Sequence, residues 1–430
     1  MTGEAHIVVD LGFGDSGKGT VTDHLVRATG AQLVVRFNGG AQAGHTVVLE
    51  DGRYHTFSQL GAGSFVPGVG THLSRFMIVH PGGLLEEARV LSQKGVMAVL
   101  DGLSIDPDAL VISPFQQAAN RLREVLRGDE RHGSCGLGIG ETQQDALEFS
   151  EGAIRALDLS DPDLLRLKLQ RLQQRKWELF YPHRAALKKD PQGALELAVL
   201  ESSEVADRWI AQAGLLAEQV RIGEIEWPET VVLEGAQGVL LDEWRGFHPH
   251  TTWSRCTFAN ALELLQGWRG TVRKWGVLRA YGTRHGAGPF PTQDESLLLS
   301  EHHNATGPWQ GAFRQGWLDT VLARYAIECC QGIDALALTH LDRVGDGWRL
   351  ATGYEGVPGA FYTQGRLRLG TFQDLDYQQS LGQALAEARP CYEAITASRF
   401  IERLEGSLGV SVGLESWGPC PHHKRSRVCR

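Results

Sequence analysis

The sequence HIVVDLGFGDSGKGT occupies residues 6–20 and joins an apolar run to a glycine-rich turn. An apolar strand that leads into such a turn and then into a helix is typical of phosphate-binding loops. Glycines let the backbone approach phosphate oxygens, helix N–H groups point at them, and Lys18 adds a positive charge. The spacing Gly12-x4-Gly17-Lys18 matches a P-loop, although a chance glycine turn would produce the same short pattern.

Two residues of this loop depart from an ordinary P-loop. Gly19 stands where a Ser or Thr usually ligates magnesium. Asp15 lies inside a turn suited to anions, where a carboxylate is repulsive unless it ligates a metal or transfers a proton. The loop sequence alone also allows Asp15 to be an ordinary turn residue.

Composition favours a globular protein with neither a nucleic-acid nor a membrane partner. The 430 residues are 42% hydrophobic and 22% charged, and the formal net charge is -9. No run approaches the 18 apolar residues of a membrane span, and the N-terminus shows no leader pattern. The seven cysteines lack paired spacing, so we expect a cytoplasmic protein with free thiols. The basic cluster at residues 422–427 is interpreted as a solvated tail without metal-site spacing.

Short apolar runs alternate with helical patterns along much of the chain. The predicted strands include Ile7–Leu11, Leu33–Phe37, Met77–His80, Thr230–Leu233, Trp275–Tyr281 and Ala335–Leu338. The predicted helices include Gly19–Thr29, Leu84–Lys94 and Trp317–Cys330. This alternation predicts an α/β fold with a mostly parallel central sheet flanked by helices. Residues 153–220 carry helical periodicity with almost no strand signal, and we interpret them as a helical insertion within one domain over residues 1–430.

Further motifs follow the later strands in a fixed order. They are NGGAQAGHT at 38–46, EGAQG at 234–238, TRHGAGPFPT at 283–292, GWLDT at 316–320, THLD at 339–342 and SWGP at 416–419. Together with the loop at 12–20, this set resembles the adenylosuccinate synthetase family over nearly the whole chain. The resemblance implies a GTP- and magnesium-dependent carbon–nitrogen ligase of purine biosynthesis, which joins aspartate to the 6-carbon of IMP.

The resemblance implies three catalytic residues. Asp15 matches the carboxylate that takes a proton from N1 of a 6-oxopurine and touches magnesium, a pairing that suits a carboxylate. His45 matches the residue that faces the oxygen attacking the γ-phosphate. Gln237 matches the side-chain amide that stabilises the 6-oxyanion, and the Gly44 carbonyl matches a second magnesium ligand.

The implied GTP site has a phosphate part and a guanine part. Asp342 matches the carboxylate that accepts two N–H groups of guanine, whereas His340 stands where the family has lysine. The residues implied to bind GTP are Ser16, Gly17, Lys18, Gly19, Gly44, Thr46, Asp342, Ser416, Gly418 and Pro419.

The implied acceptor and amine sites depart from the family pattern. Gln42 and Cys135 stand where the family uses Asn and Thr to bind the 5′-phosphate of IMP, whereas Thr252 is retained. Near Glu151 no arginine matches the one that the family donates from a partner subunit. On the amine side, Thr306 and Arg314 remain but the other arginines are missing, and Arg284 is one candidate to replace them.

We therefore expect the GTP-dependent activation to be retained, with IMP and aspartate or with changed substrates. The expected partners are GTP, a purine nucleotide or nucleoside-like acceptor and an amino acid, and the family's dimeric state implies a homodimer. Two alternatives stay open: a non-catalytic guanine-nucleotide-binding regulator, and a kinase that stops at the phosphorylated oxygen.

Overall fold

The computed structural model describes residues 3–128, 133–301 and 311–427. The strands are β1 (Gly3–Asp10), β2 (Leu33–Arg36), β3 (His45–Val48), β4 (Tyr54–Phe57), β5 (Gly70–Leu73), β6 (Ile78–Val79), β7 (Leu103–Ile105), β8 (Leu110–Val111), β9 (Arg221–Ile222), β10 (Thr230–Glu234), β11 (Gly270–Arg279), β12 (Tyr281–His285), β13 (Phe313–Asp319), β14 (Ala335–Thr339), β15 (Trp348–Glu355), β16 (Tyr362–Thr363), β17 (Arg366–Leu367), β18 (Arg389–Ile395), β19 (Val412–Ser416) and β20 (Lys424–Ser426).

The helices are α1 (Lys18–Thr29), α2 (Pro81–Gln93), α3 (Pro114–Arg127), α4 (Ile139–Glu148), α5 (Pro162–Phe180), α6 (Arg184–Leu187), α7 (Pro191–Glu201), α8 (Glu204–Gln219), α9 (Ala259–Leu264), α10 (Thr320–Cys329), α11 (Leu375–Ala386) and α12 (Phe400–Leu408). None of the helices in the described part of the chain combines the length and the hydropathy that crossing a membrane requires.

The chain divides into two compact units. The first comprises Met1–Gln32, Gly44–Thr56 and Pro228–Arg430, and the second comprises Leu33–Ala43 and Phe57–Trp227. Helices α5 to α8 lie in the second unit, within the stretch 153–220 that the sequence marks as helical. The division into one domain with an insertion stays a prediction.

In the first unit, the strands of the main sheet follow the order β20-β19-β14-β11-β1-β10. All neighbours in this order are parallel except β19 and β20. Strand β1 is buried on both faces, and Ile7, Val8 and Val9 are at most 1% exposed. A continuous apolar strand between two parallel neighbours is the pattern that the sequence of β1 predicts. A separate sheet follows the order β12-β13-β15-β18.

In the second unit, strands β2, β5, β7 and β9 pair in parallel in that order. Helix α3 packs against α5 and α7, and α5 also packs against α8. The buried residues Leu165, Leu169 and Leu172 of α5 recur at the spacing of one helix face. Parallel strands and packed helices thus occur in both units, and the predicted α/β class is confirmed.

One element boundary differs clearly from the sequence-based prediction. The predicted helix over Trp317–Cys330 is a strand up to Asp319 and a helix only from Thr320. Trp317 and Gly316 pair with β12, a partner far away in the sequence that helix propensity does not reveal. The Asp319 side chain then accepts hydrogen bonds from the N–H groups of Val321 and Leu322, both at 3.0 Å, and caps α10.

The cap of α10 predicts a pH-dependent gain in stability for Asp319→Asn. Burial raises the pKa of Asp319 to about 6, so the folded protein holds this proton more tightly than the unfolded chain. The free energy of unfolding therefore falls as pH rises from the unfolded-state pKa of this group towards pH 6, where the folded protein loses the proton. Asparagine still caps the helix without the charge. We expect urea unfolding to show a stabilisation about 1 kcal/mol larger at pH 8 than at pH 5.

Asp374→Asn is the matched control, because Asp374 caps α11 at an exposed position. Its effect on the free energy of unfolding should be the same at both pH values. A stabilisation by Asp319→Asn that is equal at pH 5 and pH 8 would contradict the assignment.

Candidate active site

Four parallel strands of the first unit end where the singled-out segments begin. Strand β1 leads into the loop at 11–17, β10 ends at Glu234, β14 ends at Thr339 and β19 ends at Ser416. The carboxyl ends of parallel strands lie at one edge of a sheet, which is where α/β proteins bind ligands. The fold therefore gathers motifs that lie up to 400 residues apart.

The phosphate-binding loop bends sharply between β1 and α1. Gly14 and Gly17 have φ values of 94°, in the left-handed region that favours glycine. Gly17 occupies the N-cap of α1 and supplies no side chain to cap its N–H groups. Open N–H groups at a helix N-terminus form an anion-binding site. Lys18 begins the helix directly beside them.

Asp15 occupies the middle of this loop in a left-handed conformation, with φ of 59°. Its Oδ2 lies 3.3 Å from Nε2 of His285, and its backbone oxygen accepts a hydrogen bond from Arg279 at 3.2 Å. Burial raises the pKa of Asp15, and the positive charges of His285 and Lys18 oppose that rise. A carboxylate with a raised pKa is better suited to accept a proton from a substrate.

His45 is fixed by a buried carboxylate. Its Nδ1 lies 2.7 Å from Oε1 of Glu234, and the two side chains are 5% and 0% exposed. Such a contact orients the ring and selects its tautomer. A Cβ atom on Gly19 would lie only 2.8 Å from the Cβ of His45, so the histidine packs directly on the first turn of α1.

Gln237 lies against the phosphate-binding loop. The N–H of Leu240 donates to the backbone oxygen of Gly12 at 3.1 Å, and a Cβ on Gly238 would approach that oxygen to 2.2 Å. Gln237 has φ of 55°, and among the described residues its buried Oε1 has no hydrogen-bond partner. The segment after β10 therefore presents an amide side chain beside the loop.

The segment after β14 contacts the same loop. The hydroxyl of Thr339 donates to the backbone oxygen of Ser16 at 2.6 Å. Burial holds the pKa of His340 well below its ordinary value, so this ring is neutral. The carboxylate of Asp342 is exposed and lies 3.1 Å from Nε of Arg343.

The loop over residues 418–420 is secured by a buried lysine. Lys424 donates to the backbone oxygens of Gly418, Pro419 and Cys420 at 2.7, 3.0 and 3.1 Å. Ser416 also donates to the oxygen of Gly418 at 3.2 Å, and the hydroxyl of Thr20 in α1 donates to that of Pro419. Lys424 lies in β20, so the interpretation of residues 422–427 as a solvated tail is wrong at this position.

Gly44 and Thr46 flank His45. Gly44 is exposed and precedes β3, whereas the hydroxyl of Thr46 lies 2.9 Å from that of Thr56. Thr252, implied on the acceptor side, is half-buried, and its N–H donates to the oxygen of Leu241 at 2.8 Å.

The two changed acceptor residues lie in the second unit. Cys135 packs against a cluster formed by Ile78, Ile112 and Ile139. Burial raises the pKa of its thiol, which therefore stays neutral. The side-chain oxygen of Gln42 would lie 3.0 Å from a Cβ on Gly40, a position that also contacts Ile139, so both residues border this cluster. Among the described residues the buried amide atoms of Gln42 have no hydrogen-bond partner.

On the amine side, Arg314 donates to Gln293 at 2.9 Å and to the backbone oxygen of Gly288 at 3.0 Å. Thr306 lies outside the described residues. Arg284 is 1% exposed and donates to the backbone oxygens of Ala287, Pro289 and His250. These bonds hold the Arg284 side chain against the backbone of its own loop and of His250.

Several residues of this site were assigned no role from the sequence. From the sequence, Asp10 is only a residue within the predicted strand Ile7–Leu11, and His285 and Glu234 are only parts of motifs. An acidic residue at the end of an apolar strand indicates a functional or structural role, and this pattern could have identified Asp10 from the sequence. The contact between His285 and Asp15 depends on the pairing of strands far apart in sequence, and no local pattern reveals it.

A parallel sheet whose carboxyl edge carries an open helix N-terminus, a buried histidine–glutamate pair and an acid of raised pKa defines a nucleotide-dependent α/β enzyme. The comparisons with known proteins specify the family. The family model described as adenylosuccinate synthetase matches residues 7–424. The chain belongs to the adenylosuccinate synthetase family and is a GTP-dependent ligase. The predicted family and enzyme class are thereby confirmed.

Named relatives support this assignment. The adenylosuccinate synthetase of Mycolicibacterium vanbaalenii is 36% identical over 346 residues, which cover 79% of this chain and 77% of the relative. That of Mycobacterium tuberculosis is 36% identical over 347 residues, with the same coverage.

Two solved structures share the fold. Fully ligated adenylosuccinate synthetase from Plasmodium falciparum matches with a TM-score of 0.72 and 21% identity, and covers all of both chains. Succinoaminodeoxyadenylate synthetase of cyanophage S-2L, bound to dGMP and to dATP as an energy donor, matches with a TM-score of 0.60 and 17% identity. That match covers 99% of this chain and 96% of the phage chain.

Lys424→Met tests the loop at 418–420. Methionine retains most of the volume but removes three donors, so we expect the KM for GTP to rise at least tenfold. In the unchanged protein, burial lowers the pKa of Lys424 to about 8. Its charge is therefore present below pH 8 and lost above it, and the KM for GTP should rise as pH passes 8.

Arg427→Met is the control, since Arg427 is an exposed cation close to the same strand. It should leave the KM for GTP unchanged. An unchanged KM in Lys424→Met would show that the loop does not depend on the lysine.

Proposed function

We propose that this enzyme uses GTP to phosphorylate the 6-oxo oxygen of a purine, and that an amine then displaces phosphate from carbon 6. With IMP as acceptor and aspartate as amine, the product is adenylosuccinate, which is the product that names the family. This proposal places the enzyme in purine biosynthesis.

The observation that carries the proposal is the placement of Asp15 inside the phosphate-binding loop. A simple nucleotide-binding loop gains nothing from a carboxylate there, because it repels phosphate. A ligase gains a base that stands within the same turn as the γ-phosphate site. The raised pKa of Asp15 and its contact with His285 fit that task.

The reaction would proceed in two steps. Asp15 accepts the proton from N1, and the ring electrons move to the 6-oxygen, which attacks the γ-phosphorus while GDP leaves. Gln237 donates its side-chain amide to the developing oxyanion. His45, oriented by Glu234, faces the transferring group and stabilises its charge. The amine then attacks carbon 6, and inorganic phosphate departs.

Magnesium fits the residues of the loop. Mg²⁺ in phosphate-transfer sites is bound through one or two carboxylates together with substrate phosphates. Asp15 offers such a carboxylate and Gly44 offers a backbone oxygen, and we propose these two as its protein ligands. When bound, the ion would neutralise charge on the phosphates. Lys18 and the first turn of α1 would hold the same phosphates from the protein side.

The guanine base is assigned to the carboxyl ends of β14 and β19. Asp342 would accept the N–H groups of the base edge, and Ser416, Gly418 and Pro419 would form the opposite wall. The ring of His340 is neutral, whereas the resemblance to the family implies a lysine at this position. Together with Gly17, Gly19 and Thr46 these residues complete the proposed GTP site, whose phosphate-binding loop also contains Ser16.

The same chemistry on an acceptor without a 5′-phosphate is the second candidate. The neutral, partly buried thiol of Cys135 supports it, because a thiol is a weak hydrogen-bond donor to a phosphate dianion. A hydrogen bond to a charged group such as phosphate contributes about 1.5–3 kcal/mol, so weak donors here lower the affinity for a phosphorylated acceptor.

The non-catalytic regulator is supported less well, since a protein that only binds GTP needs neither Asp15 nor the pair formed by His45 and Glu234. A kinase would release a phosphorylated acceptor, whose mass distinguishes it from a ligated product. The homodimer, the cytoplasmic location and the roles of Thr306 and Arg314 on the amine stay predictions.

A substrate panel tests the proposal directly. Phosphate release from GTP is measured with IMP or inosine as acceptor, each with aspartate and with other amino acids, and products are identified by mass. Release that depends on both IMP and aspartate supports adenylosuccinate synthesis. Equal kcat/KM for inosine and IMP supports the second candidate. Release that needs no acceptor, or a phosphorylated product without amine, contradicts the ligase chemistry.

Asp15→Asn tests the proposed base. Asparagine keeps the size of the side chain but cannot accept the proton, so we expect kcat to fall by about 10²- to 10⁴-fold. Binding of a non-hydrolysable GTP analogue, followed by fluorescence, should change less than threefold. Asp51→Asn, at an exposed turn, is the control and should retain full turnover. Full turnover of Asp15→Asn would refute the mechanism.

A further inference from the structure

A second carboxylate, that of Asp10, lies beneath the phosphate-binding loop. Asp10 is the last residue of β1 and is 1% exposed. Its backbone is held by parallel pairing with Val277 of β11. A buried acid at this point is costly unless its charge is compensated by donors.

The compensation is complete and comes from the loop itself. Oδ1 of Asp10 accepts hydrogen bonds from the N–H of Gly12 at 2.8 Å and from the hydroxyl of Ser16 at 2.9 Å. Oδ2 accepts from the N–H of Ser16 at 2.9 Å and from Nζ of Lys18 at 3.1 Å. Each carboxylate oxygen therefore binds two donors, the usual capacity of its two lone pairs.

This arrangement determines which hydrogen-bond donors of the loop remain available to a nucleotide. Both donors of Ser16 are bound to Asp10, so they stabilise the loop instead of facing a phosphate. The ammonium of Lys18 is 3% exposed and already has an anionic partner. Since an ammonium has three donors, it can keep Asp10 as one partner and offer the others to phosphate oxygens.

We propose that Asp10 is a positioning residue for phosphoryl transfer. Its carboxylate closes the loop through Ser16 and fixes the direction in which Lys18 presents its charge to the transferring phosphoryl group. Charge that is fixed in place before reaction stabilises the transition state more than the bound ground state. The proposal concerns the GTP half of the reaction and holds for any acceptor.

Only a carboxylate fits this position. In asparagine, one of the two oxygens becomes an NH₂ group, and in either orientation of the amide that group faces at least one N–H or ammonium group that can only donate. The amide therefore drives away either Lys18 and the N–H of Ser16, or the N–H of Gly12, whereas the Ser16 hydroxyl can rotate and accept from the amide. Asp10→Asn is thus a substitution of nearly equal volume that breaks the network through charge and hydrogen bonding.

The test compares Asp10→Asn with Glu4→Gln, an acid-to-amide change at an exposed position of the same strand. The rate of phosphate formation from GTP is measured with IMP and aspartate, and the affinity for a non-hydrolysable GTP analogue is measured by fluorescence. We expect Asp10→Asn to lower kcat 10- to 100-fold and to weaken the analogue three- to tenfold. Glu4→Gln should change neither value by more than twofold.

A merely structural role for Asp10 has a different outcome. Asp10→Asn would then lose active protein, seen by urea unfolding and by the number of analogue sites, while kcat per remaining site stayed unchanged. That result overturns the proposal. If the unchanged protein forms no phosphate with IMP and aspartate, the proposed substrates are wrong, and the binding measurement still tests Asp10.

Ser16→Ala provides the second arm and removes only one of the four donors. If the Ser16 hydroxyl serves Asp10, kcat should fall two- to fivefold and affinity for the GTP analogue should stay unchanged. A tenfold loss of analogue affinity with unchanged kcat would show instead that the hydroxyl binds phosphate directly. That result overturns the proposal, and it can be obtained even if Asp10→Asn does not fold.

Discussion

Parallel pairing of β1 with β10 on one side and β11 on the other is the constraint on which the site depends. The pairing fixes where β1 ends, and therefore where the chain must turn before α1 begins. It also places the end of β10 beside that turn, which brings Glu234 and Gln237 to the loop. Because β14 and β19 extend the same parallel order, the segments proposed to bind the base reach the same edge although their motifs lie far apart in sequence.

The carboxylates of Asp10, beneath the phosphate-binding loop, and of Asp15, within it, have different surroundings, and this difference separates their proposed tasks. Asp10 is surrounded by four hydrogen-bond donors, which occupy its acceptor capacity. Asp15 has a single histidine beside it and a pKa that burial raises. An acid of the first kind organises its neighbours, whereas an acid of the second kind can exchange a proton. Environment alone assigns such roles to chemically identical groups in many active sites.

Local sequence was sufficient for the parts of the molecule that short-range physics determines. The apolar run of β1, the glycines at 14 and 17 and Lys18 predict a strand, a turn and a helix N-terminus, which the structure contains. The prediction of a helix at Trp317 is wrong because this residue pairs with β12, and a local pattern does not reveal that partner. The sequence-based interpretation of Lys424 as solvated is wrong because its side chain donates to three backbone oxygens of a loop. The charge of a lysine does not reveal such partners. Partners distant along the chain account for each of these errors.

The close approach of Gly19 to His45 has a consequence for how such loops diverge. Any side chain at position 19 would push into the histidine backbone, with its first carbon only 2.8 Å from the His45 carbonyl carbon. Most P-loop NTPases ligate magnesium through a serine or threonine hydroxyl at this position. The contact with His45 leaves no room for such a side chain here. The backbone and Cβ of His45 occupy the space that a side chain at position 19 needs, so an evolutionary path between the two designs has to alter both positions together.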